Sequence, residues 1–459
     1  MNFKAIIDDF NQVSLHDPSK EIIEKYLHIE EIKELDPFGN PMVRPLFSHS
    51  SIPYVLDIET IKLEEFNFDT NSIYSVMLHH NAELAVEHLN LIPKIIIEKL
   101  KQYKCKLILD NTLEGDTIQR LLPILYSSLD KLKIPYSQVF LVTNNLVARE
   151  YYYKWIDLAK HFIAPFDLSN FTETFFNKIF AEDFKHNSVN IISFPWNIHD
   201  VKRLIHSGDL PEVIDIEKEI EYKTKHLNQL RPFLKVNRTG RPERSFFMLY
   251  ANYHKLLDKF RISFPRLEYL NDFESVIIDK YPEIISQKNI DSLQKKVPFD
   301  IDVSDINNHG QPGTGIGKFN ADLPFNPQHY RDTFISVVMC AFPYIDNACH
   351  LHSSTFNPIY CGHAYLGYGP HHHLQELKRL GFKTFNKWWD ESYDNLPNHF
   401  NRLEKVLSIV EDISKYSNSD LLQMYKEMKN ILQHNSNLIK NYDGREELRQ
   451  QILFKGRLL

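Results

Sequence analysis

The sequence predicts an α/β protein of two lobes, each built on a mainly parallel sheet, with additional helices at the C-terminal end. Short apolar segments with the length of buried strands alternate with amphipathic segments that have helical spacing, and the alternation restarts near residue 233. Alternating strands and helices favour parallel sheets covered on both faces. The length of 459 residues also favours two domains over one.

The first domain is expected over residues 1–232, with its α/β part at about 50–232. Residues 1–49 mix helical periodicity with proline-containing loops, and the sequence assigns them no chemical role. Further on, apolar runs short enough for buried strands each precede an amphipathic stretch. The two clearest pairs are Lys106–Asp110 with Ile118–Leu132, and Val139–Thr143 with Ala148–Ala159.

The second domain is expected over residues 233–400. It opens with the apolar strand Phe233–Asn237, followed by a loop and a helix over Ser245–Lys259. Later extended segments and one short helix continue the alternation, and residues 401–459 are expected to form C-terminal helices. The extended segments are Phe334–Cys340, Phe356–Ile359, Ala364–Gly367 and Phe382–Phe385, and the helix is His373–Leu380, which ends at Gly381.

Composition excludes several classes of protein. Hydrophobic residues make up 43% of the chain, which is ample for folded cores, and a formal charge of −7 gives no global field for nucleic acid. The longest apolar stretch, Phe334–Ile345, is far shorter than the roughly 20 residues that span a bilayer. No signal peptide is evident, and four cysteines without CxxC spacing indicate reduced thiols. We therefore expect a cytoplasmic protein that does not engage a membrane.

The glycine-rich segment Gly313–Lys318 is not a phosphate-binding P-loop. That motif requires a glycine at position 312 and a serine or threonine at position 319, where this chain has Pro312 and Phe319. The interpretation that remains is a loop near the cleft.

Three arginines mark the start of the first helix of the second lobe. Arg238, Arg241 and Arg244 lie within one turn of a predicted helix start that follows a buried strand. Cationic side chains and free backbone N–H groups at such a point suit a phosphate or pyrophosphate. The strand end of an α/β lobe is also where such folds bind ligands. The alternative is three solvated or ion-paired arginines on a loop.

Several segments of the chain resemble a group of glycosyltransferases common in phages and marine bacteria, and more distantly the fucosyltransferases. The resemblance is loose over most of residues 100–415 and close over 356–402. The matching segments are Asp110–Glu114, Asn237-Arg238-x-x-Arg241-x-x-Arg244, Thr355-Phe356-x-Pro358-Ile359, Leu380–Phe385, Trp389–Asp394 and Arg402.

This resemblance implies a GT-B architecture of two Rossmann-like lobes. The second lobe would hold a nucleoside-diphosphate sugar as co-substrate, with Asn237, the three arginines and Thr355 at the donor, and the first would grip the acceptor. It also implies no metal, because helix termini and basic side chains balance the diphosphate leaving group. No permanently bound cofactor is expected.

The chain departs from that group at the expected donor contacts. Ser353 and Ser354 stand where a Glu-Lys pair is usual, and Cys340 ends a strand that typically ends in glutamate. Nearby histidines are candidate substitutes, above all His371 and His372 at a helix start, where a phosphate would be received. The other histidines of this region are His350, His352, His363 and His373. Ordinary surface histidines, or a Cys/His metal site including Cys349 and Cys361, are the alternatives.

A base is needed to deprotonate the acceptor hydroxyl. Asp110, Glu114 and His80 are the candidates in the first lobe, together with His79 and Glu83, because all are expected near strand ends. A structural role as a cap or satisfied polar group is the alternative for each of them.

Three functions therefore stay open at this point. The first is transfer of a sugar from a nucleotide sugar to a glycan, and the second is transfer to a hydroxymethylated base of phage DNA, for which the base would be flipped. The third is a non-catalytic GT-B relative that binds a nucleotide, a glycan or a protein. The sequence assigns no oligomeric state.

Overall fold

The structure of the protein is a computed structural model. It describes residues 4–7, 52, 56, 58–65, 72–78, 89–90, 92–112, 118–152, 188–207, 211–237, 240–264, 267, 277, 279–297, 299, 327–340, 343 and 348–453. Among the candidate residues, His79, His80, Glu83, Glu114 and Arg238 lie outside this described part of the chain. The segment Gly313–Lys318 lies outside it as well.

The chain divides into two compact units. The first holds the described residues up to Trp196 and those from Asp443 onward, and the second holds the described residues from Asn197 to Tyr442. The sequence analysis placed the division after residue 232, and the C-terminal helices in a segment of their own from residue 401.

A parallel sheet of six strands forms the centre of the first unit, in the order β2-β1-β3-β4-β5-β6. The central strands β4 and β5 are almost wholly buried because apolar clusters cover both faces of the sheet. The strands are β1 Lys4–Ile7, β2 Thr60–Lys62, β3 Ser72–Met77, β4 Cys105–Asn111, β5 Val139–Thr143 and β6 Asn190–Ser193.

The second unit contains a parallel sheet of four strands in the order β10-β9-β7-β8. Every residue of β9 is buried, as expected for a strand with neighbours on both sides and helices above and below. The strands are β7 Arg231–Val236, β8 Phe260–Ser263, β9 Thr333–Met339 and β10 Ala364–Tyr368.

Helices accompany both sheets. The described helices of the first unit are α1 Lys94–Lys101, α2 Ile118–Leu132 and α12 Arg445–Leu453, and residues 148–152 are also helical. In the second unit they are α3 Trp196–Ser207, which starts at the division, α4 Ile216–Lys225, α5 Pro242–Tyr253, α6 Gln287–Gln294, α7 Pro327–Arg331, α8 Ser353–Tyr360, α9 His373–Arg379, α10 His399–Ser414 and α11 Asn418–Asn441.

These two parallel sheets with their helices confirm the predicted α/β class. The predicted helix over residues 118–132 has those same bounds in α2. The predicted stop at Gly381 is confirmed by its left-handed φ of +92° directly after α9. No helix within the described ranges combines the length and the apolar character that a membrane span requires.

Two segments expected to be extended are not strands. Phe356–Ile359 lies within α8, where Phe356, Ile359 and Tyr360 are buried with the i, i+3, i+4 spacing of a helix face. A short apolar run does not distinguish a strand from a buried helix by its pattern alone.

The second of these segments, Phe382–Phe385, is irregular because side chains rather than a neighbouring strand satisfy its backbone. The amide of Asn435 binds both the N–H and the carbonyl of Lys383, each at 2.8 Å. The Glu391 carboxylate accepts from the N–H of Phe385 at 2.6 Å. No strand ladder can use these groups.

A buried lysine fastens α4 to the start of β9. The ammonium of Lys223 donates to the carbonyls of Tyr330 and Arg331, each at 2.9 Å, and also to that of Thr333. The first two carbonyls belong to the last turn of α7, which has no intrahelical donors for them. Burial lowers the pKa of Lys223 to about 7. Three carbonyl acceptors nonetheless match the three protons of an ammonium.

We predict that Lys223→Met destabilises the second unit by about 2–4 kcal/mol, because the carbonyls of Tyr330, Arg331 and Thr333 each lose a hydrogen bond from the ammonium. The free energy of unfolding from urea denaturation measures this. Lys225→Met, at an exposed position of the same helix, is the matched control and should change it by less than about 0.5 kcal/mol. Equal effects of the two substitutions would contradict the fastening role of Lys223.

Candidate functional site

Polar and cationic side chains gather where the strands of the second sheet end. In a parallel sheet all carboxyl ends lie at one edge, and this edge is the usual ligand-binding position of α/β folds. Here β7 leads through Asn237 to α5, β9 ends before Cys340, and β10 leads through Gly369 to α9.

The start of α5 carries two of the three predicted arginines. Pro242 occupies the first helical turn, where its missing N–H costs nothing, and Arg241 is the N-cap residue. The guanidinium of Arg244 donates to the carbonyl of Met339 at 3.0 Å, so it reaches the end of β9. Glu243, next to it, is only 3% exposed. The helix therefore begins three residues earlier than expected, with its first turn at the sheet edge.

Lys235, the fifth residue of β7, is buried beneath this helix start. Its Nζ lies 4.3 Å from the centre of the Phe247 ring and has no hydrogen-bond partner among the described residues. Burial, followed by the nearby charge of Arg244, holds the pKa of Lys235 well below its usual range. A buried amine without a hydrogen bond is costly and therefore calls for an explanation.

Asn237, the first residue after β7, shares this feature. Its backbone N–H continues the ladder to the Ser263 carbonyl at 2.9 Å, which fixes its position. Its side chain is buried, and within the described part of the chain Nδ2 finds no acceptor. The resemblance placed this residue at the donor, and the structure places it at the same sheet edge as Lys235.

A compact neutral cluster surrounds Cys340 at the end of β9. The Tyr365 hydroxyl lies 2.5 Å from Nε2 of His373, and the Cys340 sulfur lies 3.9 Å from that hydroxyl. The Thr355 hydroxyl also lies 3.9 Å from the sulfur. Gly369 makes room for the His373 ring, because a Cβ there would lie 2.6 Å from its Cγ.

Burial determines the protonation of this cluster. It raises the pKa of the Cys340 thiol to about 11 and lowers that of His373 to about 3. At neutral pH both groups are uncharged. The cysteine that replaces the expected carboxylate therefore contributes no negative charge.

Helix α8 directs its N-terminus to the same edge. His352 is its N-cap residue, Ser353 and Ser354 follow, and no side chain caps the helix. The ring centres of His350 and His352 lie 5.9 Å apart. In the described structure His350 Nδ1 and His352 Nε2 lack hydrogen-bond partners.

Both rings are neutral at physiological pH. Burial lowers the pKa of His350 to about 4. Burial also lowers the pKa of His352 to about 3, assisted by His350 and by the charges of Arg241 and Arg244. His352 is partly exposed as a residue, although its Nε2 is buried. Because the charges of Arg241 and Arg244 act on His352, the start of α5 and the start of α8 lie near each other.

The N-terminus of α9 is already occupied. We expected His371 and His372 to receive a phosphate there, but the Asp394 carboxylate accepts from the N–H groups of Leu374 at 2.9 Å and Gln375 at 3.0 Å. Asp394 thus caps α9, and Asn398 caps α10. The two histidines stack at 3.7 Å beside this cap. Their assignment to the donor remains a prediction.

His363 lies at the opposite edge of the sheet. It precedes β10, and its ring contacts the Ser336 hydroxyl at 2.8 Å and the Thr333 carbonyl at 2.9 Å. Since Thr333 is the first residue of β9, this histidine is a structural group of the strand starts. The alternative of a Cys/His metal site finds no support among the described residues, where no group of three metal-ligating side chains converges.

Arg402 proves to be a structural residue. It is 1% exposed, and its guanidinium donates to the carbonyls of Gly369, Leu396, Pro397 and Pro343. Because Gly369 connects β10 to α9, Arg402 fixes the backbone at the sheet edge.

In the first unit, Asp110 is the candidate base that the structure describes. It lies near the end of β4 and is fully buried. Its Oδ1 accepts from the hydroxyl of Thr112 at 2.7 Å and from its N–H at 3.2 Å. These bonds hold the carboxylate in place, and its role as a base remains a prediction.

Lys235 and Glu243 were not singled out by sequence reasoning. Lys235 interrupts the apolar run Phe233–Val236, and a charged residue inside a predicted buried strand is the signal that would have identified it. Glu243 had no comparable signal, because a glutamate in a first helical turn is ordinary.

Comparisons with known proteins give similarities of structure only. No protein-family model matches the sequence, and no curated protein matches it. The apo structure of OtsA is 11% identical, covers 85% of this chain and 74% of its own, and has a TM-score of 0.38. An α,α-trehalose-phosphate synthase (UDP-forming) from Burkholderia vietnamiensis is 8% identical, with coverages of 87% and 82% and a TM-score of 0.38.

A third similar structure is described as trehalose-6-phosphate from E. coli bound with UDP-2-fluoro glucose. It is 11% identical, covers 78% of this chain and 79% of its own, and has a TM-score of 0.33. The similarity to all three is one of fold.

We predict that Lys235→Met stabilises the protein by about 1 kcal/mol in the absence of ligand, because it replaces an unpartnered buried amine with an apolar chain of similar length. Urea denaturation measures the change. Lys288→Met, at an exposed position of α6, is the control and should have an effect below about 0.5 kcal/mol. A large loss of stability would show that Lys235 is a structural group instead.

We also predict a loss of stability in mild acid. The pKa of His350 is lower in the folded protein than in the unfolded chain, so the unfolded chain takes up a proton first. The contribution of His350 is complete above pH 6.5 and declines as the pH falls towards about 4.

The variant His350→Gln should therefore recover about 2 kcal/mol of the stability lost between pH 7 and pH 4.5. Denaturation at a series of pH values measures this. His434→Gln, whose hydrogen bond to Gly381 is exposed, serves as the control. A pH profile that does not differ from the wild type would refute the effect.

Proposed function

We propose that this chain is a cytoplasmic glycosyltransferase that transfers a sugar from a nucleoside-diphosphate sugar to an acceptor hydroxyl. The observation that carries the proposal is the convergence of Lys235, Arg241 and Arg244 with the uncapped N-terminus of α8 at one sheet edge. Cations and free N–H groups at such an edge are suited to a diphosphate.

The same groups supply the chemistry that the reaction requires. When the bond between the sugar carbon and the diphosphate oxygen breaks, negative charge develops on the leaving diphosphate. Arg241, Arg244 and the α8 N-terminus stabilise that charge, so no metal is invoked. His352 is neutral in the free protein, and a bound diphosphate raises the pKa values of His352 and Lys235, which favours their protonated, charged forms.

The missing Glu-Lys pair has substitutes in this proposal. Lys235 supplies the interior cation, and His352 supplies a donor directly before Ser353 and Ser354. Arg238 belongs to the same loop and is assigned to the diphosphate by its sequence position. Asn237 and Thr355 complete the donor site as neutral polar groups.

For the acceptor side, we propose Asp110 as the base that takes the hydroxyl proton while the acceptor oxygen forms the new bond to the sugar carbon. Its carboxylate is held in place by Thr112, and a carboxylate at a strand end is a suitable general base. Glu114 and His80 are the other candidates by sequence. The acceptor is a glycan hydroxyl or the hydroxyl of a modified base.

We predict that Arg244→Gln weakens binding of the cognate nucleotide sugar about 10- to 100-fold, because a charged hydrogen bond to the diphosphate is worth about 1.5–3 kcal/mol. Thermal-shift screening with UDP-, GDP- and CMP-sugars identifies the nucleotide, and titration calorimetry gives the affinities. Arg379→Gln, an exposed arginine paired with Glu376 in the same unit, is the matched control.

Two outcomes separate the enzyme from a non-catalytic relative. The enzyme is supported if a nucleotide sugar stabilises the protein and is hydrolysed by it, and if Arg244→Gln abolishes that hydrolysis. Stabilisation by none of the nucleotides would refute the proposed donor site.

A further inference from the structure

The first sheet has its own row of polar residues at its carboxyl edge. Asn111 of β4 is in register with Thr143 of β5, which is in register with Ser193 of β6. Asn144 directly follows Thr143, two residues after Val142, the register partner of Asp110. The candidate base and this row therefore meet at the ends of adjacent strands.

Asn144 stands out in this row because it is fully buried and unsatisfied. Its exposed fraction is 0%, and neither Nδ2 nor Oδ1 has a hydrogen-bond partner within the described structure. The hydroxyl of Ser193 is also buried without a partner there. A buried carboxamide normally forms several hydrogen bonds, so one that forms none calls for an explanation.

Two other asparagines of the first unit do form hydrogen bonds. Asn145 accepts from the N–H of Val147 at 3.3 Å. Asn190 of β6 donates from Nδ2 to the carbonyls of Ser137 at 3.3 Å and Val139 at 3.2 Å. Asn144 differs from both, because its two donors and its acceptor all remain unused within the described structure.

The chemistry of this edge selects hydroxyl groups over phosphates. The residues that directly follow β3 to β6 carry no cation, and the Asp110 carboxylate would repel an anion. A sugar hydroxyl both donates and accepts, so one pair of adjacent hydroxyls can satisfy the amide and the carbonyl of a single asparagine.

We infer that Asn144 binds adjacent hydroxyl groups of a carbohydrate acceptor at the carboxyl edge of the first sheet. This inference rests on the proposed function, since it names the acceptor class of that reaction. Asn144 is a binding residue that orients the acceptor, and Asp110 remains the group that takes the proton.

The experiment uses the full chain and measures two kinds of binding separately. Saturation-transfer NMR with free glucose, galactose, mannose and N-acetylglucosamine reports the carbohydrate site, and the thermal shift with nucleotide sugars reports the donor site. Asn144→Ala should weaken binding of the best sugar by about tenfold or more and leave the donor shift unchanged. Asn144→Asp, which keeps the shape but loses both donors, should also weaken it.

The Tm of the ligand-free variants is an independent measurement. If Asn144 had only a structural role, its replacement would lower the Tm. Asn144→Ala removes an unpartnered buried amide, so the Tm of the ligand-free protein should not fall. Asn190→Ala removes two formed hydrogen bonds, so it should lower the Tm and leave sugar binding unchanged.

Four outcomes would overturn the inference or separate it from the proposed function. Unchanged sugar binding in Asn144→Ala overturns it, as does a wild-type protein that binds a nucleotide sugar but none of the four sugars. Asn144-dependent binding of duplex DNA with hydroxymethylated bases overturns the carbohydrate class in favour of nucleic acid. Sugar binding that depends on Asn144 without any nucleotide response supports the site and refutes the transferase.

Discussion

The second unit depends on the central strand β9, which a basic side chain holds at each of its ends. Lys223 donates to the carbonyl of Thr333 at its start, and Arg244 donates to the carbonyl of Met339 at its end. Because β9 is buried along its whole length, water cannot hydrogen-bond to its terminal carbonyls. Each basic side chain therefore satisfies a carbonyl and also fixes a helix against the strand. The start of α5, and with it the arrangement of Arg241 and Arg244, follows from the position of β9.

Several of the polar atoms that the folding of the described residues leaves unsatisfied lie at the carboxyl edges of the sheets. Lys235 and Asn237 belong to the second sheet, and Asn144 and Ser193 belong to the first. Elsewhere, buried polar groups such as Arg402 and Lys223 are fully engaged by carbonyls. The unsatisfied groups reduce the stability of the fold at the edges where a ligand is expected, whereas the satisfied groups stabilise the scaffold. Many functional sites show this combination.

Local sequence patterns were sufficient where the physics is local. The helix Ile118–Leu132, the strand Val139–Thr143 and the stop at Gly381 follow from side-chain periodicity and from the freedom of glycine to adopt a positive φ. Patterns failed where distant side chains intervened. Phe382–Phe385 resembles a strand, but Asn435 and Glu391 take its backbone groups, and neither contact is visible within a short window of sequence.

The sequence by itself determined the α/β class, several of the strands and helices, and the arginines after the first strand of the second lobe, because each depends on residues close together in the chain. Only the tertiary structure decided which polar groups share an edge. It shows that His363 lies at the starts of the strands and that Asp394 caps the N-terminus of α9. It also revealed Lys235 and Asn144 as buried groups without partners in the described structure. Burial and hydrogen bonding are properties of neighbours in space, and these neighbours are often tens of residues apart in the sequence.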